Sequence, residues 1–151
     1  RWEAGCCEIF EEHAASEALR RAAAACADQM PRGADAPHAV LLTVENERHT
    51  LGLSLAELVV AEAGWRTTWI GEGPPLAELD SLLNKLKPQL LVVSASSGSR
   101  PAPVAVYQAA LERAAASSHT PIALAGSGAW AGSRQAARLL AFGELRALLA
   151  A

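Results

Sequence analysis

Long apolar runs, a secretory leader, a basic stripe and paired cysteines are all missing from this 151-residue chain. No apolar stretch approaches the roughly 20 residues that a bilayer-spanning helix needs. No charged start, apolar middle and cleavage site mark a signal peptide. A cytoplasmic location with no membrane partner is therefore expected. Net charge is −3, and Arg20, Arg21, Arg32 and Arg48 are scattered rather than clustered. The segment itself is not expected to bind nucleic acid. Cys6, Cys7 and Cys26 form no C-x-x-C pair. Their odd number and the reducing compartment make small buried hydrophobes the expected role. A Cys6, Cys7, His13 metal site would lack a fourth ligand. There is no initial Met, and the chain opens in a helical pattern, so upstream sequence is expected to be missing.

Apolar residues make up 51% of the chain and charged residues 19%, enough to bury the core of one α/β domain with a small helical extension. Residues 2–30 have the small, Ala-rich and intermittently charged character of a helix, stopped by Pro31 and Gly33. Residues 32–37 serve as a linker. From residue 39 the pattern changes. Apolar, β-branched runs at 39–44, 66–70, 90–94 and 122–125 alternate with helical segments at 50–63, 75–86 and 103–116. A short strand or turn and a closing helix are expected after residue 134. This rhythm predicts a Rossmann-like, flavodoxin-like parallel sheet with helices on both faces, preceded by a partial helical-bundle cap. The expected boundaries are 1–32 for the cap and 38–151 for the sheet domain. Ligands bind such sheets outside the carboxyl ends of the strands, which directs attention to the loops at 45–52, 71–74, 94–100 and 126–132.

The first of these loops reads Glu47-Arg48-His49-Thr50-Leu51-Gly52, an E-x-H-x-x-G. It resembles the D-x-H-x-x-G motif of cobalamin-binding domains. That resemblance implies a corrinoid cofactor whose own base is displaced by His49, which becomes the lower cobalt ligand. A neutral imidazole is best held when its other nitrogen donates to a carboxylate, and Glu47 stands two residues away. Gly52, lacking a side chain, leaves a slot for the displaced nucleotide tail. After the third strand the family has S-x-L; here Ser94 matches and Ser96 replaces the leucine. After the fourth strand its Gly-Gly pair becomes Ala125-Gly126, with Gly128 following. A dinucleotide-type G-x-G-x-x-G is absent, since Gly71-Glu72-Gly73 runs into Pro74-Pro75.

Within the helical segment, Trp2, nine further residues and Glu12-His13 form W-x9-E-H. This is similar to the signature of the cobalamin-dependent photoreceptors, the sensor part of light-responsive MerR-type transcription regulators of the CarH type. The resemblance implies that Trp2 and Glu12 lie against the 5′-deoxyadenosyl group of adenosylcobalamin. It also implies that His13 becomes the upper metal ligand after photolysis. It further implies an upstream DNA-binding module and a homo-oligomer, with no catalytic residue. A straight helix would separate Trp2 and His13 by about 16 Å, so a bend near Gly5 is expected. The enzymatic alternative is a corrinoid-carrying domain of a methyltransferase or other cobalamin-dependent enzyme; a carrier without a switch is a third reading. Trp65 and Trp69 are expected in packing. Trp130 fits either tail stacking or surface packing. His38 and His119 stand at strand entrances, away from the binding edge.

Overall fold

The computed structural model describes residues 8–151; Trp2, Gly5, Cys6 and Cys7 lie outside the described residues. The first helix, α1 (Ile9–Gln29), is capped by the side chain of Glu11, which accepts from the Glu8 backbone N–H at 2.9 Å. Its two buried residues are the alanines Ala23 and Ala27, and it packs against α2. Cys26 is exposed on this helix, against the expectation of a buried thiol. Only a narrow stripe of α1 meets the rest of the chain, and Cys26 falls outside it.

The remainder alternates strands and helices: β1 (His38–Thr43), α2 (Leu51–Glu62), β2 (Arg66–Gly71), α3 (Leu79–Leu86), β3 (Leu90–Ser94), α4 (Pro101–Ser118), β4 (Ile122–Ala125), β5 (Ala136–Arg138) and α5 (Phe142–Leu149). All pairings are parallel, in the order β2-β1-β3-β4-β5. This is the expected flavodoxin-like arrangement. A 3-10 turn at Leu76–Glu78 precedes α3, so its α-helical part begins later than the predicted residue 75. Helix α4 begins earlier than predicted, at Pro101, because proline suits the first helical position.

Side-chain alternation along the central strands builds two cores. Val40, Leu42, Leu91 and Val93 face Leu79, Leu83, Val104 and Leu111 of α3 and α4. Ala39, Leu41, Leu90 and Val92 face Leu53, Ala56, Val60 and Leu145 of α2 and α5. Burial on both faces explains why β1 and β3 read as continuous apolar runs. Trp65 and Trp69 lean on the second core, and Trp130 on the first. His38 stands at the entrance of β1 with its Nε2 2.8 Å from Thr68 Oγ1, and His119 caps the end of α4 in the left-handed region. Among the described residues no helix is long and apolar enough to cross a membrane.

The strand exits are tightly packed. A Cβ on Gly73 would lie 2.2 Å from the Thr43 carbonyl oxygen and 2.9 Å from the Glu45 nitrogen, both backbone atoms. Gly73→Ala is expected to destabilise the fold by about 1–3 kcal/mol, the usual cost of overpacking. Urea unfolding would register this as a lower midpoint with an unchanged slope.

Candidate functional site

In a sheet of order 2-1-3-4-5, the connections diverge to opposite faces between β1 and β3, opening a crevice at their carboxyl ends. The chain leaves β1 through a turn in which Glu47 N–H donates to the Val44 carbonyl at 3.1 Å and Asn46 takes φ 65°. Thr43 closes this turn: its hydroxyl donates to the Glu47 carbonyl at 2.9 Å and accepts from Gly73 N–H at 3.3 Å. The turn directs the Glu47 side chain inward, where the residue is only 4% exposed.

The buried carboxylate meets donors on both oxygens. Its Oε1 accepts from the His49 backbone N–H at 2.7 Å and lies 2.6 Å from His49 Nδ1. Its Oε2 accepts from the Ser96 N–H at 3.0 Å, the Ser96 hydroxyl at 2.6 Å and the Ser99 hydroxyl. Burial alone would raise the Glu47 pKa, but the hydrogen bonds from Ser96, Ser99 and the His49 backbone outweigh it. They hold the carboxyl down from an ordinary value near 4.5 to about 2. An ionised Glu47 facing Nδ1 selects the tautomer with its proton on Nδ1, so that in the neutral ring the lone pair sits on Nε2. The imidazole is presented outward, its side chain 77% exposed. Gly98 flanks it: a Cβ there would lie 3.6 Å from His49 Cε1.

Beside this pair lies a cavity of about 260 Å³ between the first turns of α2 and α5 and the exits of β3 and β4. Gly52, Ser94, Ala125 and Gly126 line it, together with Leu139, Phe142 and neighbouring apolar residues. Gly126 adopts φ 82°, and a Cβ on it would lie 2.3 Å from the Ala95 carbonyl oxygen. Gly128 packs behind the cavity wall, donating its N–H to that same carbonyl at 2.8 Å. The reduced Ala125-Gly126 pair therefore keeps a glycine where the β4 exit runs too close to the Ala95 backbone for a side chain.

The structure thus brings together Glu47, His49 and Ser96 in one network, and Gly52, Ser94, Ala125 and Gly126 around one cavity. Glu12 and His13 form a separate pair on α1. Their side chains are 3.7 Å apart, His13 is 72% exposed, and Glu12 accepts from the Ser16 hydroxyl at 2.6 Å. Two features escaped sequence reasoning. Ser99 binds Glu47 from 52 positions away. The apolar wall from Leu139 to Leu145 has no motif, only the amphipathic pattern of an ordinary closing helix.

No family model matches this chain. The Rossmann-like fold is shared with solved structures. It is similar to a structure of the methanol:cobalamin methyltransferase complex MtaBC from Methanosarcina barkeri, with a TM-score of 0.62 and 14% identity over 99% of this chain and 60% of that one. A cobalamin-binding protein from Desulfitobacterium hafniense DCB-2 gives a TM-score of 0.51 and 17% identity, covering 84% of this chain and 60% of that one. In sequence, the chain is similar to the HTH-type transcriptional repressor CarH of Myxococcus xanthus, 30% identical over 94 residues. That match takes in 62% of this chain but only 31% of the repressor's length.

The depressed Glu47 pKa has a consequence for the protein without any ligand. A carboxylate whose folded pKa lies below its unfolded value stabilises the fold above pH 4.5 or so. That stabilisation is lost as pH falls toward 2. The shift corresponds to about 3 kcal/mol. Unfolding free energies measured from pH 6 to pH 2 are expected to fall less steeply in Glu47→Gln than in wild type.

Proposed function

We propose that this chain binds a cobalamin with its lower base displaced, His49 supplying the nitrogen beneath cobalt through Nε2. The observation that carries this reading is the buried Glu47 carboxylate against Nδ1 of an otherwise exposed His49, at the switch point of the sheet. Among the described residues no three His, Cys, Asp or Glu side chains converge on one point. A single imidazole beside an apolar cavity fits a metal that arrives with a macrocycle supplying its other ligands. Bound cobalamin would supply a cobalt–carbon bond that light or a nucleophile can break. Glu47 would hold the proton on Nδ1 and orient the ring. Gly52 would leave the entrance of the tail cavity open, and Ser94, Ala125 and Gly126 would line it, with Gly128 keeping its wall in place.

The finer reading is a light sensor that carries adenosylcobalamin and passes its state to a DNA-binding module and to oligomer contacts elsewhere in the whole protein. The 94-residue likeness to CarH supports it. Trp2, Glu12 and His13 would then cover the upper face. His13, whose side chain is exposed, would supply a second imidazole to the cobalt of such a cofactor. A second reading, corrinoid carriage for methyl transfer, is supported by the fold shared with the methyltransferase complex.

His49→Ala is expected to abolish the base-off, His-on absorption spectrum, whereas Glu47→Gln should keep it with affinity about 10–100-fold weaker. Unchanged spectra and affinities would contradict the ligand assignment. Illumination of adenosylcobalamin-loaded protein separates the finer readings. A bis-imidazole product that forms in wild type but not in His13→Ala supports the sensor. A water-ligated product from both proteins would remove His13 from any switch.

A further inference from the structure

We infer that Arg138 is a positioning residue for cofactor binding: from the face of the sheet opposite the cavity it fixes the spacing of the β4 and β5 exits, and with it the affinity for the nucleotide tail. This rests on the cobalamin reading and adds to it a residue that acts without touching the cofactor.

Strand β5 is the weakest-held part of the sheet. It has three residues, lies at the edge and pairs with β4 alone. Short elements with few partners open most readily. Yet the chain that leaves β5 forms one wall of the cavity, from Leu139 to Phe142, while the β4 exit supplies Ala125 and Gly126. The distance between these two exits sets the width of the cavity.

Alternation along β5 places Arg138 on the same side as Ala136, which packs on the core under α3 and α4. Ala137 and Leu139 belong to the other core, under α2 and α5, where the cavity lies. From its own side the Arg138 guanidinium donates to the carbonyls of Leu124, Gly126 and Leu139 at 3.0, 2.5 and 2.6 Å. Two of these carbonyls belong to the β4 exit and one to the β5 exit, so a single planar group ties both. Among the described residues Arg138 has no carboxylate partner. A guanidinium carries its donors in a rigid fork that can span several acceptors, whereas an ammonium is a point donor.

Gly126 is where such a tie matters most, because at φ 82° and without a Cβ its backbone has little else to hold it. Trp130 acts from the same side. It packs on the core under α3 and α4, and its Nε1 donates to the Ala125 carbonyl at 2.9 Å. The loop carrying it is gripped by buried Gln108, which accepts from the Ala131 N–H at 2.9 Å and donates to the Ala131 carbonyl at 3.1 Å. Two successive carbonyls of the β4 exit are thus held from behind the cavity.

The test is an absorbance titration with cobalamin and with cobinamide, which lacks the nucleotide tail. Wild type is expected to bind cobalamin more tightly than cobinamide. Arg138→Ala should weaken cobalamin about tenfold, the low end of the cost of losing a supporting partner, while leaving cobinamide unchanged. Arg138→Lys keeps the charge but not the span, and should recover little of the loss. Trp130→Phe removes one N–H and keeps a ring; a smaller loss, again confined to cobalamin, is expected. This variant reads the same wall if Arg138→Ala does not fold. Equal losses for both probes would show a merely structural role and overturn the inference, as would full recovery in Arg138→Lys. Equal affinity of wild type for the two probes would take the tail out of the cavity and overturn it while leaving His49 as ligand. If neither probe binds wild type, the cobalamin reading itself fails and this inference with it.

Discussion

The Glu47 carboxylate is the group on which the site depends. A charge removed from water is tolerated only where hydrogen bonds replace its hydration, and here five donors do so. They come from two segments that are distant in the chain, His49 after β1 and Ser96 and Ser99 after β3. Forming the carboxylate's shell therefore joins the exits of the two central strands and orients the imidazole in the same act. Withdrawing any partner leaves a buried charge short of hydrogen bonds, which costs far more than a surface ion pair contributes.

The sheet explains why this junction falls where it does. Strands β1 and β3 are neighbours, yet the helices that follow them cover different faces, so their exits diverge around an open crevice. The two cores are fixed by simple alternation, Val40 and Leu42 on one side and Ala39 and Leu41 on the other. The rigid strands beneath the loops hold Glu47 and Ser96 within hydrogen-bonding range. The glycines at 73, 126 and 128 let the loops approach each other at distances where a side chain would collide.

Much of this was legible in the sequence because its signals are local. Strand runs such as residues 39–44 and 90–94 are short, apolar and bounded by turn residues, and all four predicted strands are found, with a fifth at Ala136–Arg138. The Glu47–His49 contact spans two residues and was expected from spacing. What was not legible depends on long-range packing. Ser96, read as a departure from S-x-L, turns out to donate twice to Glu47. Ser99 reaches the same oxygen only because the β3–α4 loop folds back over β1. The cavity wall at Leu139 and Phe142 exists because α5 docks beside α2, and no short motif encodes that. Cys26 was expected inside, but α1 buries only the stripe that faces α2, so its outer face reads the same in sequence as its inner one.

The central claim is that a histidine nitrogen of this chain, Nε2 of His49, takes the position under cobalt. Electron paramagnetic resonance of the cobalt(II) cobalamin complex, formed with protein carrying 15N-labelled histidine, tests it most directly. The account predicts superhyperfine lines split into doublets by the labelled imidazole. Triplets from an unlabelled nitrogen would show that the cofactor keeps its own base, and would contradict the account.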